Sequence, residues 1–211
     1  MKNKLVRKQI IKICRMLSYK NFIAATDGNV SARVSNNEFL ITPSGINKAF
    51  LKKKQLVVID KNGKIVKGKL KPSSEANLHL EIYKQRPDVN AVIHAHPAMC
   101  IAYSIVEKNF DEPLLPEVVL TLGKIPIAKY ATPTTQEVAK SIGGLVKDYN
   151  AIILQRHGSV TYSSDLFKAY NYLEKIEHSA LISYYASNIG NPLPIPKDEI
   201  TRLYKIAQKM Y

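Results

Sequence analysis

The sequence predicts an α/β protein in which a central, mostly antiparallel sheet is covered by helices on both faces. Three observations predict it. Helix signals open and close the chain and recur between the strands. Short β-prone runs are linked by hairpin-type turns. Regular strand–helix–strand crossovers do not recur, which disfavours a Rossmann or TIM-barrel arrangement. The 211 residues, 45% of them hydrophobic, suffice for a core and read as one domain, 1–211.

Taken in order, Val6, Ile10, Ile13, Cys14 and Leu17 recur at helical spacing and predict an amphipathic helix over Lys4–Lys20. Seven Lys or Arg and no acid in the first twenty residues resemble a transit peptide in composition, but the periodicity argues for a folded helix. A polar turn, Thr26–Asn29, leads to strands Val30–Val34 and Glu38–Thr42. Leu56–Asp60 and Lys64–Val66 flank Lys61-Asn62-Gly63, and Asn-Gly between β-prone runs marks a hairpin. Ser73 or Ser74 is placed to cap a helix running to Gln85, with Glu75 in its first turn. Asn90–His94 reads as a buried strand, and Pro97 opens a helix to Val106.

Leu114–Tyr130 reads as strand and loop, punctuated by Pro116, Gly123 and Pro126. Helices follow at Thr135–Lys147 and Leu166–Ser187. Between them strands Ala151–Gln155 and Ser159–Ser163 meet at His157-Gly158. Pro192, Pro194 and Pro196 make an extended connector into a last helix, Lys197–Lys209.

Composition excludes several classes. The longest stretches without Asp, Glu, Lys or Arg, Val89–Val106 and His178–Pro196, are interrupted by His, Asn and Pro. Neither gives the roughly 18–20 apolar residues of a membrane span, so a soluble protein is expected. Cys14 and Cys100 are too few for a disulfide framework and read as buried small hydrophobes, which fits a reducing cytoplasm. The net charge of +14 attracts anions: nucleic acid, a membrane surface or a phosphorylated metabolite. Its densest stretch, Lys48–Lys71, contains Phe50 as its one aromatic residue, so no ladder of rings is present to stack on bases. These lysines read as a solvated surface rather than a nucleic-acid interface.

Five histidines stand in the chain. His94 and His96 end an apolar strand, and residues i and i+2 of a strand project from one face. His157 ends a second apolar run and precedes Gly158. Two strand ends offering imidazoles to one cleft match three-histidine ligation with a fourth position open for substrate. Such ligands suit Zn²⁺, with Co²⁺, Fe²⁺, Ni²⁺ and Mn²⁺ as alternatives. His79 and His178, both on helices, read as structural. Gly28-Asn29, Thr42-Pro43-Ser44-Gly45 and Ser73-Ser74 offer amides and hydroxyls suited to an anion. Glu75 beside them reads either as a base or as an ordinary acid complementing a helix N-terminus.

Five segments in order carry a resemblance: Asp27-Gly28-Asn29-Val30-Ser31, Ile41-Thr42-Pro43-Ser44-Gly45, Lys71-Pro72-Ser73-Ser74-Glu75, Ala91-Val92-Ile93-His94-Ala95-His96-Pro97 and Leu154-Gln155-Arg156-His157-Gly158. On them the chain resembles the class II aldolase/adducin family, most closely its L-fuculose-phosphate aldolase branch. The resemblance implies a three-layer α/β/α fold and a C4 homotetramer with sites between neighbours. It implies Zn²⁺ on His94, His96 and His157, and Glu75 as acid/base. It also implies that Gly28, Asn29, Ser44, Gly45, Ser73 and Ser74 bind a substrate phosphate. The implied reaction is retro-aldol cleavage of a ketose 1-phosphate to dihydroxyacetone phosphate and an aldehyde.

One loop departs from that branch. Where it carries a tyrosine reaching across the subunit interface, Leu114–Leu122 holds Glu117. Glu117, together with Arg156, is similar to the methylthioribulose-1-phosphate dehydratase branch. Glu117 reads as a catalytic group or as an interface ion-pair partner, and Tyr211 as a candidate for the aldolases' tail tyrosine. Pentulose-5-phosphate 4-epimerase and an adducin-like scaffold without catalysis are the remaining readings, the last disfavoured by the intact set of His94, His96, His157 and Glu75.

Overall fold

The computed structural model describes residues 2–106 and 112–210. The chain runs α1 (Lys2–Tyr19), β1 (Asn29–Ser35), β2 (Glu38–Ile41), β3 (Val57–Asp60), β4 (Ile65–Lys67), α2 (Ala76–Gln85), β5 (Ala91–Ala95) and α3 (Ala98–Ile105). It continues with α4 (Pro116–Thr121), β6 (Ile127–Ala128), α5 (Gln136–Ile142), β7 (Ala151–Leu154), β8 (Gly158–Ser163), α6 (Leu166–Ile189) and α7 (Lys197–Met210). The strands form one eight-stranded sheet in the order β4-β3-β2-β1-β5-β8-β7-β6. Every neighbouring pair is antiparallel except β6 with β7, so the sheet is mixed, with one parallel edge pair.

Two-residue alternation along the strands builds two cores. Val30, Ala32, Leu40, Ala91, Ile93 and Ile153 face one way and pack with Ile10, Cys14 and Leu17 of α1, Cys100 of α3 and Leu173 and Ile176 of α6. Phe39, Ile41, Val57, Val92, Ile152, Val160 and Tyr162 face the other way, onto Leu78 and Ile82 of α2 and Val138 and Ile142 of α5. This is the expected α/β/α layering. Among the described residues, no helix is long and apolar enough to cross a membrane. Cys14 and Cys100 are free and buried, one in each of two helices on the same face.

The expected β3–β4 hairpin is present. Asp60 Oδ1 accepts from the backbone N–H groups of Asn62 and Lys64, at 2.8 and 2.9 Å, and closes the turn. Three local expectations are corrected. Within Leu114–Tyr130 the chain forms helix α4: Pro116 supplies a pre-set φ at the first helical position, and Val118 and Val119 are buried in the packing of α4 against α6 and α7. α5 starts where expected, on an N-cap at Thr135 whose hydroxyl accepts from the Glu137 N–H, but it ends at Ile142, because Gly143-Gly144 interrupts the helix before Lys147. α2 begins after Glu75, which is itself the N-cap residue, and neither Ser73 nor Ser74 caps its first turn by side chain. Ser73 Oγ instead accepts from the Glu75 N–H at 3.2 Å.

α6 spans the sheet and carries a cap of its own: Asp165 Oδ1 accepts from the Phe167 and Lys168 N–H groups, both at 2.9 Å. Asp165→Ala is expected to cost about 1 kcal/mol of stability, as loss of a helix N-cap does, measured as a lowered urea midpoint with an unchanged m-value.

Candidate metal centre

The centre lies where the three middle strands end together. Asn29 at the start of β1 is in register with His94 near the end of β5, and Ala95 with Ser159 of β8. His96 follows β5 directly, and its N–H donates to the Phe22 carbonyl at 2.7 Å. His157 precedes β8 in a tight turn in which Arg156 takes a left-handed φ of 59°. Gly158 makes the approach possible, because a Cβ there would stand 2.4 Å from the Ala95 carbonyl oxygen and 2.8 Å from the His96 ring.

The structure brings His94, His96 and His157 together, with one ligand-type nitrogen from each within 4.8 Å of the others. His94 Nδ1 lies 2.9 Å from the Ser159 carbonyl oxygen, which only accepts, so the proton is on Nδ1 and Nε2 faces the cluster. That Nε2 is 3.0 Å from His96 Nε2 and 3.1 Å from Glu75 Oε2, while His157 Nε2 is 3.2 Å from Glu75 Oε1. Ring nitrogens of His94, His96 and His157 thus converge on one region. A divalent cation, or a proton on His94, supplies the positive charge the arrangement requires. Glu75 Oε1, buried and without a hydrogen-bond partner among the described residues, is a further potential metal ligand in the cluster. Asp27 Oδ2, 3.6 Å from His96 Nδ1, stands behind that ring as carboxylates do behind metal-bound imidazoles. The donor set fits an imidazole-preferring divalent metal.

The electrostatics agree. Burial, reinforced by positive charge at His94, lowers His96 to a pKa of about 3 and His157 to about 4, so both rings are neutral near pH 7. Burial pushes the Glu75 carboxyl upward. Positive charge and a hydrogen bond at His94, with smaller contributions from the His157 ring and the Asn29 amide, outweigh it and hold Glu75 well below the usual carboxylate range.

Beside the centre lies a cavity of about 350 Å³. Gly28, Asn29, Ser44, Gly45, Ser73 and Ser74 all line it, as do Glu75, His96 and His157. Two of its walls are joined as a short ladder. Pro43 bridges Pro72, the Ser44 N–H donates to the Lys71 carbonyl at 3.0 Å, and the Ser73 N–H donates to the Thr42 carbonyl at 3.1 Å. A larger open groove of about 830 Å³ is lined by residues including Arg33, Phe39, Glu81 and Lys140 and contains no imidazole.

Lys48, which the sequence places among solvated lysines, is 2% exposed and lines the cavity. Its Nζ donates to the Thr26 and Ile46 carbonyls, and no carboxylate lies within ion-pair distance among the described residues. Burial lowers its pKa. The neighbouring lysines from Lys52 to Lys71 are exposed as expected, and nothing in their spacing sets Lys48 apart.

Other expected site residues lie elsewhere. Glu117 is exposed in the first turn of α4 and is absent from the cavity wall; its carbonyl accepts from Lys175 Nζ at 3.2 Å. Arg156 is exposed, and its guanidinium donates to the Ile105 carbonyl at 3.4 Å. Tyr211 lies outside the described residues. His178 is exposed on α6, away from the cluster, whereas His79 is buried and reaches the centre indirectly through Asn29.

Comparison with known proteins agrees with this geometry. Residues 8–184 match the family described as Class II Aldolase and Adducin N-terminal domain. The chain is 36% identical over 181 residues to the L-fuculose phosphate aldolase of Methanococcus maripaludis, covering 86% of this chain and 97% of that one. It is 37% identical over 200 residues to the L-fuculose phosphate aldolase of Escherichia coli K12, covering 94% and 91%. A solved L-fuculose 1-phosphate aldolase superposes with a TM-score of 0.86 at 31% identity, over 97% of this chain and 95% of that chain.

His79 is also held at about 3, by burial first and then by charge at His94. His79, His96 and His157 all have folded-state pKa values below the ordinary 6.5, so between about pH 3 and 6.5 the unfolded chain binds more protons than the native one. The stability these rings contribute is complete above pH 6.5 and is lost as pH falls through that window. Metal-free protein is therefore expected to lose on the order of 1 kcal/mol per pH unit for each such ring, read as a falling urea midpoint between pH 6.5 and 4.

Proposed function

The chain belongs to the class II aldolase and adducin N-terminal domain family, and from that premise we propose that it cleaves a ketose 1-phosphate, of the L-fuculose 1-phosphate kind, to dihydroxyacetone phosphate and an aldehyde. It is a class II aldolase resembling the fuculose-phosphate enzymes. The observation that carries the finer reading is the position of Glu75. One buried carboxylate stands 3.1 and 3.2 Å from two of three convergent imidazoles, at the wall of a cavity built of hydroxyls and amides. The buried ammonium of Lys48, which pairs with no carboxylate at ion-pair distance among the described residues and feels Asp27 and Glu75 only from further off, supports an anionic substrate.

In this reading His94, His96 and His157 hold one Zn²⁺ per subunit, which when bound supplies the Lewis acidity that withdraws charge from the ketose C2 carbonyl. Gly28, Asn29, Ser44, Gly45, Ser73 and Ser74 hold the phosphate and so fix the sugar's reach toward the histidines. Lys48 adds positive charge beneath them. As the C3–C4 bond breaks, Glu75 delivers a proton to C3 of the three-carbon fragment; in condensation it removes the same proton. Asn29 Nδ2 donates to Oε2 at 2.9 Å, so Oε1 is the oxygen that carries the proton.

The C4 hydroxyl gives up its proton to a second group as the aldehyde forms. Glu117 and Tyr211 are the candidates, each acting on a neighbouring subunit's cavity in a C4 homotetramer of this single-domain chain. Exposed Tyr184, Tyr185, Ile189 and Leu193 support burial of this end of α6 in an assembly. We place the enzyme in the cytoplasm, in carbohydrate metabolism, where its two thiols stay reduced.

Metal-loaded protein incubated with a panel of ketose 1-phosphates is expected to release dihydroxyacetone phosphate. Chelation is expected to abolish release and zinc to restore it. Loss of water from methylthioribulose 1-phosphate without C–C cleavage, or interconversion of pentulose 5-phosphates, with no dihydroxyacetone phosphate from any member, overturns the reading. Glu75→Gln should keep its metal and lose about 10²- to 10⁴-fold in kcat. Lys48→Met should raise KM for the phosphorylated substrate about tenfold or more, with a smaller change in kcat, checked by initial-rate kinetics and by displacement with inorganic phosphate.

A further inference from the structure

Behind Glu75 a line of buried polar side chains runs between β1 and α2 on one face of the sheet. Asn29 Nδ2 donates to Glu75 Oε2 at 2.9 Å, and Asn29 Oδ1 contacts His79 Nε2. His79 Nδ1 lies 2.7 Å from Ser31 Oγ, and Ser31 Oγ lies 2.8 Å from the Tyr83 hydroxyl. Asn29, Ser31, His79 and Tyr83 are each at most 3% exposed, so no solvent substitutes for a lost partner. The far end is fixed as well. The Tyr83 ring stacks on Phe39 at 4.4 Å, and the Arg33 guanidinium lies 5.0 Å from its centroid.

The direction of every bond in this line follows from its first member. A carboxylate only accepts, so Asn29 must present its NH₂ to Glu75 and its carbonyl oxygen to His79. That oxygen also only accepts, so the His79 proton is on Nε2. A buried, neutral imidazole has one N–H, which leaves Nδ1 bare. Ser31 must then donate to Nδ1, and Tyr83 must donate to Ser31. Rotation of the Asn29 amide would set two acceptors against each other at Glu75 and two donors at His79.

We infer that His79 is a positioning residue for the reaction: acting through Asn29, it fixes the Glu75 carboxylate with Oε2 held as a hydrogen-bond acceptor and Oε1 directed at the metal centre. His79 touches neither substrate nor the metal-binding nitrogens. Its work is to make one orientation of the Asn29 amide the only satisfied one. The functional half of this inference rests on the reading of Glu75 as the acid/base; the hydrogen-bond polarity does not.

Two measurements test it. In ¹⁵N spectra of histidine-labelled, metal-loaded protein, the signal pair lost in His79→Gln identifies His79. It is expected to show a protonated Nε2 and a bare Nδ1. Kinetically, His79→Asn offers an amide near the δ position only and removes the donor to Asn29. It should lose about 10- to 100-fold in kcat per bound metal, with KM and metal content little changed. His79→Gln offers an N–H near the ε position and should regain most of that loss. A residue that merely fills the core would show losses that track melting temperature in both variants. An Nδ1-protonated tautomer, parental kcat in His79→Asn, or equal losses in the two variants overturns the inference. Parental turnover in Glu75→Gln, with the expected tautomer, overturns the acid/base reading and the catalytic role of His79 while leaving the polarity of the line intact.

Discussion

A carboxylate buried among imidazoles is the constraint on which the rest of the molecule depends. Charge withdrawn from water is tolerated only when opposite charge and hydrogen bonds surround it. Glu75 meets that requirement with groups from three directions: His94 and His157 at the strand ends, and Asn29 at the start of β1. It is the N-cap residue of α2, and its side chain reaches the histidines instead of capping the helix. The ordinary use of an acid at a helix start is given up here for a place in the site.

The sheet supplies the precision. β1, β5 and β8 are adjacent and antiparallel, so the beginning of β1, the end of β5 and the beginning of β8 fall along one edge. A one-residue slip would turn His94 away from Asn29 and move the whole apolar set of β5 to the wrong core. Two well-packed faces therefore hold the register, and the register holds the nitrogens.

Much of this was legible in the sequence because it followed local rules. His94 and His96 fall at i and i+2 of one strand, His157 ends a second apolar run and Asn62-Gly63 marks a hairpin; the structure brings the three imidazoles together and forms the hairpin. The layered fold was legible for the same reason. What was not legible depends on the third dimension. Lys48 looks like its exposed neighbours, and only packing against the Thr26 loop buries it. α4 contains Val118 and Val119, which favour strands, and contacts with α6 and α7 override that preference. His79 reads as an ordinary core histidine from its helical position, and its bond to Asn29 links positions fifty residues apart. Glu117 stands outside its own chain's cavity, and the spacing of its loop in sequence does not say so.

The spacing of the ligands along the chain has a consequence for how the protein matures. His94 and His96 emerge during synthesis more than sixty residues before His157, and the glycine that seats β8 against β5 comes directly after it. A nascent polypeptide holds only two of the three imidazoles, and two grip a divalent ion weakly. On the proposed ligand set, the donors are complete only once residue 157 has been added, so a metal would meet a nearly finished chain instead of serving as a template for its first strands.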